Sequence, residues 1–524
     1  MTRTHTEEFR VSNSIQDRAR ARKRRIEGRL DKRNYAGLGE PALRATNIHY
    51  ELADRAVGTP YGGIGLMQRL VKELGLDKAI NRRLHVFKMY LPYFESDHVL
   101  NLAYNALCDG TCLEDLEQRR QDEAYLNALG AERIPDPTTA GDFCRRFHPE
   151  HIEALHAAYD DARRKVWARQ PPAFFDEARI EADGTLVGTT GECKQGMNLA
   201  YNGVWGYHPL LITLANTGEV LRLVNRPGNR PSHEGAAAVI DESIALCRQA
   251  GFRSIRLRGD TDFTQTTHLD RWHAMGNVRF IFGMDVTAGR HVDADDLPVS
   301  AWKSLVRPPR YEVQTKPRTR PTNVKQQIVD ERLFRDVQLV SESVAEMPYR
   351  PVACRHTYRL VVLRKDLQVR PSGQQRLLDD YRYFLYLTND WESTPEEIVA
   401  SANDRCDQEN LFAQLKGGVR ALRAPVDNLY SNWASMLMTT LAWNLKAWLA
   451  LWMPVQRGRW AAKQQAEKHN LLRMEFRTFV NAFLRVPCQV VKSGRKIVYR
   501  LLAWNRWQPV FLRLAEQLCR PLRC

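Results

Sequence analysis

Three acidic residues, far apart in the chain, constrain its fold most. Asp183 sits in Ile180-Glu181-Ala182-Asp183-Gly184-Thr185, and Asp260 ends Ser254-Ile255-Arg256-Leu257-Arg258-Gly259-Asp260. Both runs have the short, apolar pattern of a strand. Glu409 lies in a helical stretch between Arg405 and Lys416. Two Asp at strand positions and a Glu on a distant helix, flanked by cations at helical spacing, require a sheet with a helix packed on it. They suit a metal-dependent phosphodiester site, because oxygen ligands suit Mg²⁺, which keeps positions open for water and phosphate.

The charge balance points the same way. Net charge is +16 and the pI about 9.4, which predicts a polyanionic partner: nucleic acid first, an anionic membrane surface second. The 524 residues leave room for about two to four domains. The most apolar segment, Trp433 to Met453, contains Asn444 and Lys446, so a buried helix is expected there and no membrane span. Ten Cys are scattered, and the closest pair, Cys108 and Cys112, lacks a second pair or a His at zinc spacing. Reduced thiols and a cytoplasmic protein follow. The polar, basic N-terminus carries no signal-peptide pattern.

Five regions are expected. Residues 1–50 form a basic, flexible arm around Arg18-Ala19-Arg20-Ala21-Arg22-Lys23-Arg24-Arg25, which either stays disordered or becomes helical on DNA. Arg22, Arg24 and Arg25 are its candidate DNA contacts. Residues 51–175 read as a helical DNA-binding domain. Residues 176–286 and 393–450 form the α/β catalytic domain: strand-like runs at 178–185, 196–207, 208–216 and 219–225, then helix 236–250, strand 254–260, helix 264–275 and strand 278–286. Residues 287–392 read as a β-rich insertion with the basic, Pro-rich runs Arg307-Pro308-Pro309-Arg310 and Lys316 to Pro321. Residues 451–524 are mostly helical, with a strand–turn–strand pattern around Ser493-Gly494.

The Glu409 helix is expected to begin at the capping box Thr394-Pro395-Glu396-Glu397. At about 100° per residue, Arg405 lies roughly 40° from Glu409 and Lys416 roughly 20° on the other side. All three then project from one face, with Arg405 and Lys416 placed to hold phosphates, while Leu411 and Leu415 bury against the sheet. Arg256 and Arg258 alternate to the same side as Asp260 and are candidate DNA contacts. His233-Glu234 reads as a loop contact.

Taken together, these motifs resemble those of bacterial insertion-sequence transposases with an RNase H-like DDE domain. The resemblance is to the group with the Tyr-Arg-Glu-Lys signature, DDE domain group 1. The signature Tyr-x2-Arg-x3-Glu-x6-Lys aligns with Ala402, Arg405, Glu409 and Lys416, and Asp183-Gly184-Thr185 and Arg258-Gly259-Asp260 match the first and second Asp motifs. The resemblance covers about residues 60–505. Ala402 stands where the group has Tyr, and Asp262 and Glu181 are rivals to Asp260 and Asp183.

The resemblance implies an RNase H-like mixed sheet with a β-rich insertion, preceded by a helical DNA-binding domain and followed by a mostly helical region. It implies cut-and-paste transposition, with Asp183, Asp260 and Glu409 as catalytic metal ligands for two Mg²⁺ ions that Mn²⁺ can replace. Double-stranded DNA bearing terminal inverted repeats, and target DNA, are the implied partners. A homodimer in a synaptic complex, a hairpin intermediate and a nucleoid-associated location are also implied. Trp302, with Trp391 as rival, would stack on a flipped base.

Overall fold

The computed structural model describes residues 13–30, 58–89, 92–307, 336–370, 380–456, 458–493 and 496–519. Most of the arm, most of the first Pro-rich run and all of the second lie outside these residues.

The centre is a five-stranded unit: β1 (Glu177–Gly184), β2 (Leu210–Leu214), β3 (Glu219–Val224), β4 (Ser254–Gly259) and β5 (Val278–Met284). Their spatial order is β3-β2-β1-β4-β5. β1 pairs antiparallel with β2, and β2 with β3. β1–β4 and β4–β5 are parallel. This is a mixed sheet, as the resemblance implies. Every residue of β2 is buried, as expected of a central strand covered on both faces. Two crossover helices, Ala236–Ala250 and Thr266–Ala274, return the chain to the parallel strands.

The inserted strands do not form a separate body. They are β6 (Lys303–Ser304), β7 (Asp336–Tyr349), β8 (Tyr358–Arg370) and β9 (Asp380–Thr388). β9 pairs antiparallel with β5, from Leu385 opposite Met284 to Thr388 opposite Ile281. The insertion therefore lengthens the catalytic sheet to nine strands, ordered β6-β7-β8-β9-β5-β4-β1-β2-β3. The open edge of β5 supplies unpaired backbone groups, and β9 satisfies them.

One expected strand is absent in that form. Residues 196–207 make two short strands, Asn198–Leu199 and Trp205–Tyr207, which join Val187–Gly188 in a small sheet of their own.

Helix α1 (Asn13–Leu30) carries the basic run. It packs on the C-terminal region: Arg22 donates to the Leu501 carbonyl at 2.8 Å, and the Lys23 ammonium lies 5.5 Å from the centre of the Trp504 ring. Arg24 and Arg25 stay exposed. Between Ile64 and Trp167 the described residues are mostly helical, as the periodicity predicts, and end in α2 (Pro149–Trp167). The apolar segment forms one 24-residue helix, α3 (Leu429–Trp452), and almost all of it is buried. No helix among the described residues is long and apolar enough to cross a membrane. The strand–turn–strand pattern appears as Cys488–Ser493 paired with Lys496–Leu501; Gly494 lies outside the described residues.

A buried carboxylate ties these layers together. Glu219, at the start of β3, is 0% exposed. It accepts hydrogen bonds from Arg163 Nε (3.0 Å) and Trp167 Nε1 (2.9 Å) on α2, from Trp448 Nε1 (2.7 Å) on α3, and from Thr217 Oγ1 (2.7 Å). Four donors on one carboxylate satisfy a buried charge that would otherwise be costly.

Candidate active site

The site is set by the register of two parallel strands. Glu181 of β1 lies beside Arg258 of β4. Two residues further along each strand come Asp183 and Asp260, on the same face because side chains alternate. The inner pair is structural. Glu181 and Arg258 are 2% and 3% exposed and joined at 2.5 Å; Arg258 also donates to the Ser401 carbonyl at 2.7 Å. Burial pushes the Glu181 carboxyl up to about 7, although Arg258 works against the rise. Arg256 is likewise engaged, with Glu177 at 2.8 Å and Asp390 at 3.1 Å. The expectation that Arg256 and Arg258 meet DNA is therefore corrected: both are held in ion pairs inside the protein.

The outer pair is the site. Arg405 Nη1 donates to Asp183 Oδ2 at 2.9 Å and lies 3.9 Å from Asp260 Oδ2. Burial raises the Asp183 carboxyl to about 6; Arg405 opposes this and Asp260 adds to it. Asp260 is raised for the same leading reason, with Arg405 lowering it and Asp262 raising it. Two carboxylates thus face one guanidinium in a partly desolvated place. Asp260 also caps the single 3₁₀ turn Thr261–Phe263 by accepting from the Asp262 amide at 3.1 Å. Asp262 itself is exposed, so Asp260 is the one that meets Arg405.

Both glycines beside the Asp residues are needed for close packing. A Cβ at Gly184 would fall 2.7 Å from His208 Nε2 and 3.2 Å from Ser232 Oγ. One at Gly259 would fall 2.7 Å from the Phe263 Cβ. His208 was not singled out by the sequence, although it opens the fully buried run that follows Tyr207. It is 5% exposed and its Nδ1 lies 2.7 Å from the Arg230 carbonyl, so Nδ1 carries the proton. Burial lowers its pKa, and the charges of Asp262 and Lys416 both reach it. Arg226 braces the loop behind it, donating to the carbonyls of His208 (3.1 Å), Ser232 (3.0 Å) and Glu234 (2.7 Å). His233 and Glu234 are part of this loop: the His233 carbonyl accepts from Gln265 at 2.9 Å, and Glu234 pairs with Arg230 at 3.1 Å.

The continuous Glu409 helix is corrected. The capping box forms as expected: the Glu397 amide donates to Thr394 Oγ1 and the Thr394 amide donates to the Glu397 carboxylate. However, that helix (Pro395–Asn403) stops at Asn403, and a turn at Asp404-Arg405 leads into a new helix (Cys406–Ala413). A π-helical turn, Gln414–Gly418, follows and carries Lys416. The helical-wheel angles therefore do not apply across 405–416. Arg405 is at the break, which lets it reach Asp183. Glu409 and Lys416 are exposed. Among the described residues no three His, Cys, Asp or Glu side chains gather as a metal-binding group. The structure brings Asp183, Asp260 and Arg405 together and leaves Glu409 apart from the pair. Ala402 is half-buried and packs against a small apolar cluster that includes Ile398 and Val399.

Trp302 is not open for stacking on that face. The Arg364 guanidinium lies 4.0 Å from its ring centre and 4.7 Å from that of Tyr381. Trp391 is 57% exposed.

Comparison with known proteins bears on the same residues. No curated protein matches the chain. Among solved structures, a piggyBac transposase synaptic complex with hairpin DNA aligns at 11% identity and a TM-score of 0.37, over 82% of this chain and 84% of that one. The family described as transposase DDE domain group 1 matches residues 57–522, which include all three acidic motifs. The chain belongs to the DDE transposases of domain group 1.

Proposed function

We propose that the protein carries out cut-and-paste transposition of an insertion sequence, by hydrolysis and strand transfer at terminal inverted repeats, in the bacterial cytoplasm close to the nucleoid. The observation that carries this reading is the placement of Asp183 and Asp260, each two residues beyond the Glu181–Arg258 register pair of adjacent parallel strands, around a shared Arg405. A divalent cation fits this place. The donors are carboxylate oxygens, and the Asp183 carboxyl is held near 6 by burial and by the charge of Asp260, so added positive charge is favoured. Asp183 and Asp260 would hold divalent cations, two Mg²⁺ or Mn²⁺, and Glu409, which stands apart from the pair in this structure, would have to approach to complete the set; the ions would supply activation of the attacking oxygen and stabilisation of the leaving one.

The chain's own groups do the rest. Glu181–Arg258 holds the two strands at fixed register beneath the site, and Gly184 keeps the backbone open toward His208. Arg405 neutralises the paired carboxylates in the free protein; on DNA its guanidinium is placed to turn to a phosphate. Lys416 and the exposed Arg24 and Arg25 of α1 supply phosphate contacts, and a homodimer on two DNA ends is the expected assembly.

Cleavage and strand transfer of a labelled duplex carrying the terminal repeat tests this, with Mg²⁺ or Mn²⁺. Wild type is run beside Asp183→Ala, Asp260→Ala, Asp262→Ala and Glu409→Ala. Cutting should persist only in wild type and Asp262→Ala. Survival of Asp260→Ala with loss in Asp262→Ala would reassign the second ligand. End binding without cutting by wild type would favour a DNA-binding relative that has lost catalysis.

A further inference from the structure

The small sheet that leaves the catalytic end of β1 has no role in the chemistry above. Its strands are Val187–Gly188, Trp205–Tyr207 and Asn198–Leu199, in that spatial order. It lies in the chain between Asp183 and β2. Its base is fastened to the segment that follows Lys416. Lys194 donates to the carbonyls of Ala424 and, at 2.8 Å, Val426. The Gln195 amide donates to the Asp427 carbonyl at 2.7 Å, and the Tyr207 hydroxyl to the Gln195 carbonyl at 2.7 Å. The tip is the opposite in character. Leu199 lies directly across from Trp205, and the turn between them carries Tyr201. These three are 54%, 41% and 92% exposed.

A rigid base with a bare aromatic tip is an interaction site, since large apolar side chains are seldom grouped in water without a partner. The patch is too small for a second copy of the chain. An aromatic side chain buries about 150–250 Å², and two of these three are already about half covered, whereas a stable protein interface needs about 800 Å² per partner. Flat rings with a polar handle, on a chain of net charge +16, on a strand that runs within three residues to His208, which packs against Gly184 beside Asp183, match the faces of unpaired bases. We infer that Tyr201 and Trp205 form a stacking platform for unpaired bases of the DNA next to the cleaved bond. The inference rests on the DNA-cleaving reading above.

Two probes test it with the full chain. One is a terminal-repeat duplex ending in a short single-stranded flank labelled with 2-aminopurine. The other is the same duplex fully paired. Wild type, Tyr201→Ala, Tyr201→Phe and Trp205→Ala are titrated against both, and sedimentation is recorded at the same concentrations. Tyr201→Ala and Trp205→Ala should each weaken binding of the flanked probe about tenfold, with less quenching of its fluorescence, and leave the paired probe within about twofold. Tyr201→Phe should behave as wild type, since the ring face is kept. Tyr201 is almost fully exposed, so its substitution tests the platform without unfolding the protein. Equal loss on both probes, no loss on either, or a change in oligomeric state with Tyr201→Ala would overturn the platform. If wild type binds neither probe, the transposition reading itself falls and takes the platform with it; if wild type binds and the variants match it, the platform alone falls.

Discussion

Replacing Asp183 with Asn should stabilise the protein in the absence of divalent ions. Asp183 is 14% exposed and its carboxyl is held near 6 against an ordinary value of 3.8, chiefly by burial. A group whose proton affinity is higher in the folded state binds more protons there, so stability falls as pH rises from about 4 to about 6 and stays low above that. The difference corresponds to about 3 kcal/mol against folding at pH 8. Asn carries no charge, so it removes this term, in which the opposing effect of Arg405 is already included. A gain of up to about 3 kcal/mol at pH 8 follows. At pH 4.5 the wild-type penalty is only about 1 kcal/mol, so the advantage should shrink to about that. Chemical denaturation in EDTA at both pH values reads this directly. An Asp183→Asn protein less stable than wild type at pH 8, or a difference that does not change with pH, would refute the reasoning. Saturating Mg²⁺ should raise the wild-type midpoint and not that of the variant, since the cation relieves the same charge.

Three further outcomes follow from the geometry. Glu219→Ala strands the Arg163 guanidinium and two indole N–H groups in the interior and should cost about 3–5 kcal/mol, seen as a lower denaturation midpoint. Gly184→Val drives a side chain into His208 and Ser232; DNA cutting should drop at least tenfold while stability falls by about 1–3 kcal/mol, and unchanged cutting would show that this contact is unimportant. Lys416→Ala should weaken DNA binding evenly across sequences and reduce the slope of log affinity against log salt by about one, measured by anisotropy over a salt series.

The strands around Asp183 and Asp260 were legible because alternation and flanking glycine mark a strand end locally. The capping box at Thr394 was legible for the same reason, since its partners are three residues apart. What escaped was set by contacts distant in sequence. Nothing near Arg405 announces that the helix breaks there: the break is fixed by the buried Glu181–Arg258 pair, with Arg258 holding the Ser401 carbonyl, and by the pull of Asp183 on the Arg405 guanidinium. Arg256 and Arg258 looked like surface cations because their carboxylate partners lie about 80 residues or more away. The β-rich character of the insertion was legible, but not where it would pair, because strand pairing carries no local signature; the edge of β5 decided where β9 went.

That edge has a consequence for how the chain is made. β5 emerges from the ribosome about a hundred residues before β9, its neighbour from Leu385 to Thr388. At roughly 5–20 residues per second, β5 waits about 5–20 s with one row of backbone groups unsatisfied. Throughout that interval the nascent protein carries an open template for pairing with another copy of itself. Synthesis, rather than the finished fold, is then the stage at which this transposase is most exposed to self-association, and a pause between β5 and β9 would lengthen the hazard without altering a single contact in the mature molecule.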